Sequence, residues 1–263
     1  MTSNGKTAHA ASKERNGAML DRLEVKYFVD RSTRTALTRD LLAFMRPDVH
    51  AGNDGSYLVR SLYFDTPEYQ AYHEKLSGAA TRNKLRARTY GEASDPNTPV
   101  RMEVKGRFLS YIKKLTRDLS QEEYRAVETA LRRRTLPPEY LLGSDSTIKE
   151  FFRLQRQYNM EPKILIQYRR QAFERMEINR ARVNFDDELL ASRNLDLLGP
   201  LAGARRLLRY GSAILEIKVD GYLPDWLHML IVKYSLQAQA ISKYCHAVRS
   251  EARLSAFGRA DDA

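Results

Sequence analysis

Residues 102–106 read Met-Glu-Val-Lys-Gly, and the same alternation recurs at 23–27 (LEVKY) and 215–219 (LEIKV). In an extended strand successive side chains point to opposite faces, so residues two apart share one. Glu103 and Lys105 therefore share a face, as do Glu24 with Lys26 and Glu216 with Lys218. Lys84, Arg86 and Arg88 (KLRART) place three bases on one face of another strand. Tyr168 and Arg170 form a further pair, and Arg180, Arg182, Asn184 and Asp186 continue the pattern along RARVNFD. The intervening residues are largely apolar: Leu23, Val25 and Tyr27; Met102 and Val104; Val183 and Phe185; Ile217 and Val219.

Outward from these stretches, strands are expected at about 21–29, 57–65, 82–91, 99–108, 110–118, 163–174, 180–187 and 211–220. These segments are rich in β-branched and aromatic residues and mostly lie beside Gly, Asn, Asp or Pro. Asp30 is placed to cap a helix carrying Leu37, Leu41 and Phe44. Ser120 and Glu123 form a capping box before Val127, Ala130 and Leu131. Thr147 and Glu150 repeat it before Phe151, Phe152 and Leu154. A long helical stretch begins near Pro224, with Leu227, Leu230, Ile231 and Tyr234 on one face.

Eight strands interrupted by a few helices, without regular alternation, predict an α+β fold on one antiparallel sheet, not a doubly wound one. Any single E-x-K strand is most simply a solvated face. Three of them plus three bases in phase favour another arrangement. Helices would cover the apolar face, and the sheet would curl into a closed eight-stranded antiparallel β-barrel with its charges inside. Bases crowded there repel one another and need a counter-anion, which an extended phosphate chain supplies.

The bulk numbers agree with a polyanion ligand. The 263 residues carry a formal charge of +11 with 43% hydrophobic residues, so a basic surface surrounds an ordinary core. Cys245 is the sole cysteine, which excludes an intrachain disulfide and suggests a reducing compartment. No apolar run is long enough to span a bilayer, and no secretory leader is recognisable, so a cytoplasmic protein is expected. One domain is expected over residues 19–255, between polar tails at 1–18 and 256–263. Zinc-ligand spacing, Walker loops and G-x-G-x-x-G are absent.

Each residue type has its chemistry. Arginine forks bind phosphate oxygens in bidentate fashion, and lysines supply compact charge. Glutamates among them would serve either as oxygen ligands for Mg²⁺ or Mn²⁺, or as ion-pair partners of neighbouring bases. Trp226 reads as a packing anchor, Cys245 as buried, and His228 and His246 as structural.

In order along the chain, LEVKY, SLYFDT, LRARTYG, MEVKGR, YRRQAF, RVNFDDEL, LEIKVDG and ISKY resemble the VTC domain. That is the polyphosphate-polymerase domain of the vacuolar transporter chaperone complex, one of the triphosphate tunnel metalloenzymes. The resemblance runs from about residue 20 to 250. It implies a tunnel barrel, a divalent metal (Mn²⁺ or Mg²⁺), and synthesis of inorganic polyphosphate from a nucleoside triphosphate, with ATP the simplest donor. By position, Lys26, Arg86, Arg88, Lys105, Arg170 and Arg182 would line the tunnel, and Lys243 would close it from the C-terminal helix. Lys84, Lys218 and Tyr168 would add substrate contacts. Glu216 would be the principal metal ligand, with Glu103 and Glu24 in less defined roles. Tyr63 and Asp65, in SLYFDT, read as conformational.

A further base is expected after residue 108, and both Lys113 and Lys114 can fill the place. Lys114 is favoured because it shares a polar face with Thr116, a face from which Ile112 is expected to be absent. Arg60 is left out because its neighbour Ser61 has the opposite facing. The family's E-x-E-x-K opening has Arg22 at its first acidic position here, which weakens a metal site on that strand and leaves room for transfer or binding in place of hydrolysis. The alternatives are a triphosphatase of the same barrel class and a non-catalytic polyphosphate binder. Nucleic acid ranks last, because the interleaved glutamates would repel a phosphate backbone. Coupling to a membrane would need a separate membrane-protein partner.

Overall fold

The computed structural model describes residues 22–257 other than 53, 92–94, 110, 144–145 and 177–179. The chain runs β1 (Arg22–Val29), α1 (Arg31–Leu41), β2 (Arg46–Pro47), β3 (Ser56–Asp65), α2 (Gln70–Leu76), β4 (Thr81–Tyr90), β5 (Val100–Phe108) and β6 (Tyr111–Leu119). There follow α3 (Gln121–Arg133), α4 (Glu139–Gly143), α5 (Ser146–Gln157), β7 (Glu161–Arg175), β8 (Ala181–Ser192), β9 (Arg205–Arg206), β10 (Ala213–Asp220), α6 (Asp225–Lys233) and α7 (Lys243–Phe257). The fold is α+β, and the eight long strands match the eight expected ones in order.

All long strands pair antiparallel in the order β1-β10-β8-β7-β3-β4-β5-β6, with β2 added to β7 and β9 to β8. No ladder joins β1 to β6 among the described residues. The sheet is therefore a curled half-barrel whose seam is not closed by backbone pairing. Curling still brings its ends together, since Lys105 on β5 lies within electrostatic reach of Glu24 and Lys26 on β1.

The convex face carries the apolar residues expected of it. Tyr27, Val183, Phe185, Ile217 and Val219 pack with Leu37 and Leu41 of α1 and Leu227 and Leu230 of α6. Met102 and Val104 pack with Tyr124 and Val127 of α3 and Phe151 and Phe152 of α5. Burying such side chains contributes about 1.5–3 kcal/mol each, which holds the helices on the outside. Asp30 caps α1 by accepting from Thr33 N at 2.7 Å. The box at α3 is complete, Ser120 Oγ accepting from Glu123 N and the Glu123 carboxylate from Ser120 N.

Three expectations need correction. Phe44 lies beyond α1 and stacks on Trp226 at 4.8 Å, so it is a packing contact and not a helical position. α5 starts at Ser146, which puts Thr147 inside the helix, and Glu150 is engaged by Arg153 at 2.6 Å. The C-terminal stretch is two helices. Ser235 takes the left-handed conformation (φ 47°), α6 stops, and the chain runs past β1 with Gln239 N donating to Lys26 O at 2.8 Å before α7 begins. The expected tails lie outside the described residues, save for the last residues of α7.

The concave face is not charged throughout. Val59, Ile164, Ile166, Tyr168, Leu189, Ala191 and Ile214 form an apolar floor at one end, and Ile241, just before α7, packs onto it with Tyr244, Cys245, Ala247 and Val248 of that helix. α7 thus sits inside the curl and leaves the remaining concave surface to the charged residues.

Candidate functional site

Strand register decides which side chains meet. Lys26 lies opposite Glu216, and Glu24 opposite Lys218. Glu216 in turn faces Asn184, and Lys218 faces Arg182. Arg170 pairs with Asp186, Tyr63 with Arg86, Ser61 with Arg88, Arg86 with Glu103, and Lys84 with Lys105. Glu103 lies opposite Thr116 and Lys105 opposite Lys114. The strand bases Lys26, Lys84, Arg86, Arg88, Lys105, Arg170, Arg182 and Lys218 are on the concave face, while Arg180 precedes β8.

On the β1-β10-β8-β7 wall the buried carboxylates Glu216 and Asp186 sit among Lys26, Lys218, Arg170 and Lys243, with Glu24 beside Lys26. Glu216 is 2.8 Å from Lys218 Nζ, 3.7 Å from Lys26 Nζ and 3.6 Å from Arg170 Nη2. Arg170 forks onto Asp186, with Nε and Nη2 donating at 2.6 and 2.8 Å. Lys243 Nζ reaches the same carboxylate at 2.5 Å from the first residue of α7. Lys243 and Arg170 also lie over the Tyr168 ring, 4.8 and 5.4 Å from its centroid. Burial opposes ionisation of Glu216, but Lys218, Lys26, Lys243 and Arg170 outweigh it and hold the carboxyl well below the usual range. Asp186 is likewise held low against burial by Arg170 and Lys243. Burial lowers Lys218 despite Glu216 beside it.

The β3-β4-β5-β6 wall is differently balanced. Arg88 Nε donates to Ser61 Oγ at 2.8 Å and Nη1 to the Tyr90 hydroxyl at 3.2 Å, so its direct partners are neutral oxygens. Arg86 Nε donates to Glu103, whose other oxygen is 3.3 Å from Lys114 Nζ. Burial opposes the Glu103 charge, yet Arg86 and Arg88 take its pKa down to about 2. Burial lowers Lys84 and Lys105, which lie opposite each other. Tyr63 stands between the walls, stacked on Tyr244 at 5.3 Å. Burial opposes its ionisation, but Arg86, Arg88 and Lys243 prevail and lower the phenol to about 8.

Lys114 and Thr116 are concave, whereas Lys113 lies opposite Gly106 on the other face and interacts with Glu150. Ile112 is in phase with Lys114, opposite Arg107, contrary to expectation; the β6 register is unbroken and the residue sits at its outer end. Arg60 lies on the convex side, donating to Gln167 Oε1 and to the Leu197 and Gly199 carbonyls. Arg182 is at the rim, 3.2 Å from Glu174. Asp65 is structural: it accepts from Thr66 N, Ala71 N, Tyr72 N and the Tyr244 hydroxyl, tying α2 and α7 to β3.

Two lining residues are given no site role by the sequence: Tyr63 reads as conformational, and Asp186 only as part of the alternation. Both carry the alternation signal, being in phase with Ser61 and with Asn184 and Arg182, but nothing local marks them as lying among cations.

Glu24, Glu103 and Glu216 do not converge as one metal cage. Glu24 is 3.0 Å from Lys26, Glu103 is held by Arg86 and Lys114, and no group of three His, Cys, Asp or Glu suited to a metal occurs among the described residues. The donor set fits an ion that takes few protein ligands and several phosphate and water oxygens, as Mg²⁺ does. Glu216, ion-paired with Lys218, Lys26 and Arg170 and with Asp186 close enough to feel its charge, is one carboxylate that could hold such an ion.

This arrangement, a curled antiparallel sheet with cations in phase on its concave face, coincides with a sequence match. The VTC domain model matches residues 21–252. The chain belongs to the VTC domain family. Comparison with curated proteins finds no match. Among solved structures, a candidate adenylate cyclase of Bacillus halodurans is similar at 14% identity and TM-score 0.46, over 84% of this chain and 93% of that one. A candidate adenylyl cyclase of Hippeastrum, described as having a dominant triphosphatase activity, is similar at 13% identity and TM-score 0.47, over 87% and 96%. In this VTC domain no helix of the described residues is long and apolar enough to cross a membrane.

Proposed function

We propose that this VTC domain is a metal-dependent phosphotransferase that adds the terminal phosphoryl group of a nucleoside triphosphate, ATP in the simplest case, to a growing inorganic polyphosphate chain. The observation that carries this reading is the pair Arg88, buried, and Arg86, half-buried, beside Tyr63 on a wall with more cations than carboxylates. Such a wall is complete only when an anion with several oxygens lies on it.

In the reaction Arg86, Arg88 and Lys243 would hold the phosphates, and Lys26, Lys105, Arg170 and Lys218 would steady the flanking ones. Their positive charge stabilises negative charge spread over phosphoryl oxygens in the transition state. A terminal oxygen of the chain would attack the γ-phosphorus, the bond from that phosphorus to the β–γ bridging oxygen would break and the nucleoside diphosphate would leave, so no side chain need attack. Tyr168, beneath Arg170 and Lys243, orients both cations. A divalent ion bound at Glu216 would supply further charge neutralisation between carboxylate and phosphate oxygens. A cytoplasmic site, with ATP at hand, and a separate membrane-protein partner fit this role.

The test is incubation with ATP and Mn²⁺ followed by chain-length analysis on a gel. Long chains are expected. Free phosphate alone would make the protein a triphosphatase, and tight binding without turnover would make it a polyphosphate-binding module.

A further inference from the structure

The hairpin joining β5 to β6 exposes Phe108 (62%), Leu109 (59%), Tyr111 (60%) and Ile112 (53%) to solvent. Other exposed apolar residues, such as Tyr210, Tyr222 and Met229, stand singly or in pairs along the chain, whereas here four cluster within five positions. By strand phase Phe108 and Tyr111 share one face and Ile112 lies on the other, so the tip presents apolar side chains on both sides, and a cluster of this kind marks a contact. The same stretch is basic: from Lys105 to Arg117 it holds Lys105, Arg107, Lys113, Lys114 and Arg117, with no Asp or Glu. Arg107 and Lys113 are exposed beside the apolar four.

The hairpin is also held out as a unit. Its strands stay in register to the Phe108–Tyr111 pair, Leu109 N donates to Ala80 O at 3.0 Å, and Arg107 Nε donates to Leu109 O at 2.7 Å. A polyanion in water would use the bases but not the four apolar side chains. A protein groove would use the apolar side chains but has no need of bases on both flanks. An anionic bilayer surface uses both, taking aromatic and aliphatic side chains at headgroup depth and attracting the bases around them.

We infer that this hairpin docks the protein on an anionic lipid surface, with Phe108, Leu109, Tyr111 and Ile112 entering the interface and Arg107 and Lys113 meeting lipid phosphates. Lys105 and Lys114 lie on the concave face in the same hairpin, so docking turns that end of the candidate site toward the membrane. The inference does not depend on which phosphate reaction the site performs.

The test is co-sedimentation of the full chain with phosphatidylcholine vesicles with and without phosphatidylglycerol. Binding is expected only with the anionic lipid. Phe108→Ser/Ile112→Ser should weaken it about tenfold or more, because two apolar side chains no longer leave water. Arg107→Gln/Lys113→Gln should weaken it more than the charge-matched Arg132→Gln/Arg133→Gln on α3. An unchanged thermal midpoint shows that the exposed substitutions leave the fold intact. Should the serine variant not fold, Phe108→Trp serves instead, and its added fluorescence should be quenched by brominated lipid while the parent, with Trp226 alone, stays unquenched. The inference is overturned if the parent does not bind anionic vesicles, or if the serine variant binds as the parent does. Equal losses from the two glutamine pairs would overturn it too, as would self-association of the parent that the serine variant abolishes.

Discussion

The two walls of the concave face carry the same residue types in different balance. On the Glu216–Asp186 wall the cations Lys218, Lys26, Arg170 and Lys243 have carboxylate partners within 4 Å. On the Arg86–Arg88 wall one carboxylate, Glu103, serves Arg86 and Lys114, while Arg88 spends its donors on Ser61 and Tyr90. Hydroxyl dipoles satisfy a guanidinium's hydrogen bonds but do not cancel its charge. The first wall is therefore nearly self-sufficient. The second calls for an anion.

The largest effect expected from this contrast is on Arg88. Arg88→Ala should fold and lose about 10²–10³-fold in turnover, the scale of removing one preorganised charge-stabilising donor; steady-state kinetics on ATP and a thermal melt together check it. Glu216→Gln comes next. It should remove most of the activation by Mn²⁺, with about a 10²-fold loss at saturating metal, and a metal titration that keeps the parent's shape would dissociate Glu216 from the ion.

Asp186→Asn probes the self-sufficient wall through stability. Arg170 and Lys243 would be left buried without their shared carboxylate, which costs about 3–5 kcal/mol. Denaturant unfolding measures the loss, and tripolyphosphate should restore part of it by supplying the missing anion. The same anion should stabilise the parent by about 2.7 kcal/mol at a hundredfold excess over its dissociation constant.

Tyr63 sharpens the comparison by pH. Its folded-state pKa of about 8 lies below the ordinary value near 10. Ionisation therefore favours the fold: the stabilisation is fully present above pH 10 and is lost as pH falls through 8. Absorbance of tyrosinate should show a step near pH 8 that Tyr63→Phe removes and that bound polyphosphate moves upward by neutralising Arg86 and Arg88. The smallest effect separates the two faces of β6: Lys114→Ala should weaken polyphosphate binding severalfold, and Lys113→Ala should leave it within about twofold.

Much of this was legible from the chain because strand geometry is local. Residues two apart share a face wherever the strand ends up, so Lys26, Arg86, Arg88, Lys105, Arg170 and Lys218 could be assigned together, and the α3 capping box read directly. The glutamates were less legible, because E-x-K is the same string whether the carboxylate binds metal or its neighbour. Glu103 is in contact with Arg86, a base on another strand. Tyr63 and Asp186 escaped for the same reason: what sets them apart is the company of cations brought by β4, β7 and α7.

The sequence by itself determined which side chains share a face, where most strands lie, and that the chain is a VTC domain, since alternation, capping and motif order are short-range properties. The tertiary structure alone decided that β1 and β5 approach across an unpaired seam. It also decided that α7 covers the apolar half of the concave face and that Lys243 enters the charged half. Those depend on sheet curl and on the left-handed turn at Ser235, which set distances between residues far apart in the chain.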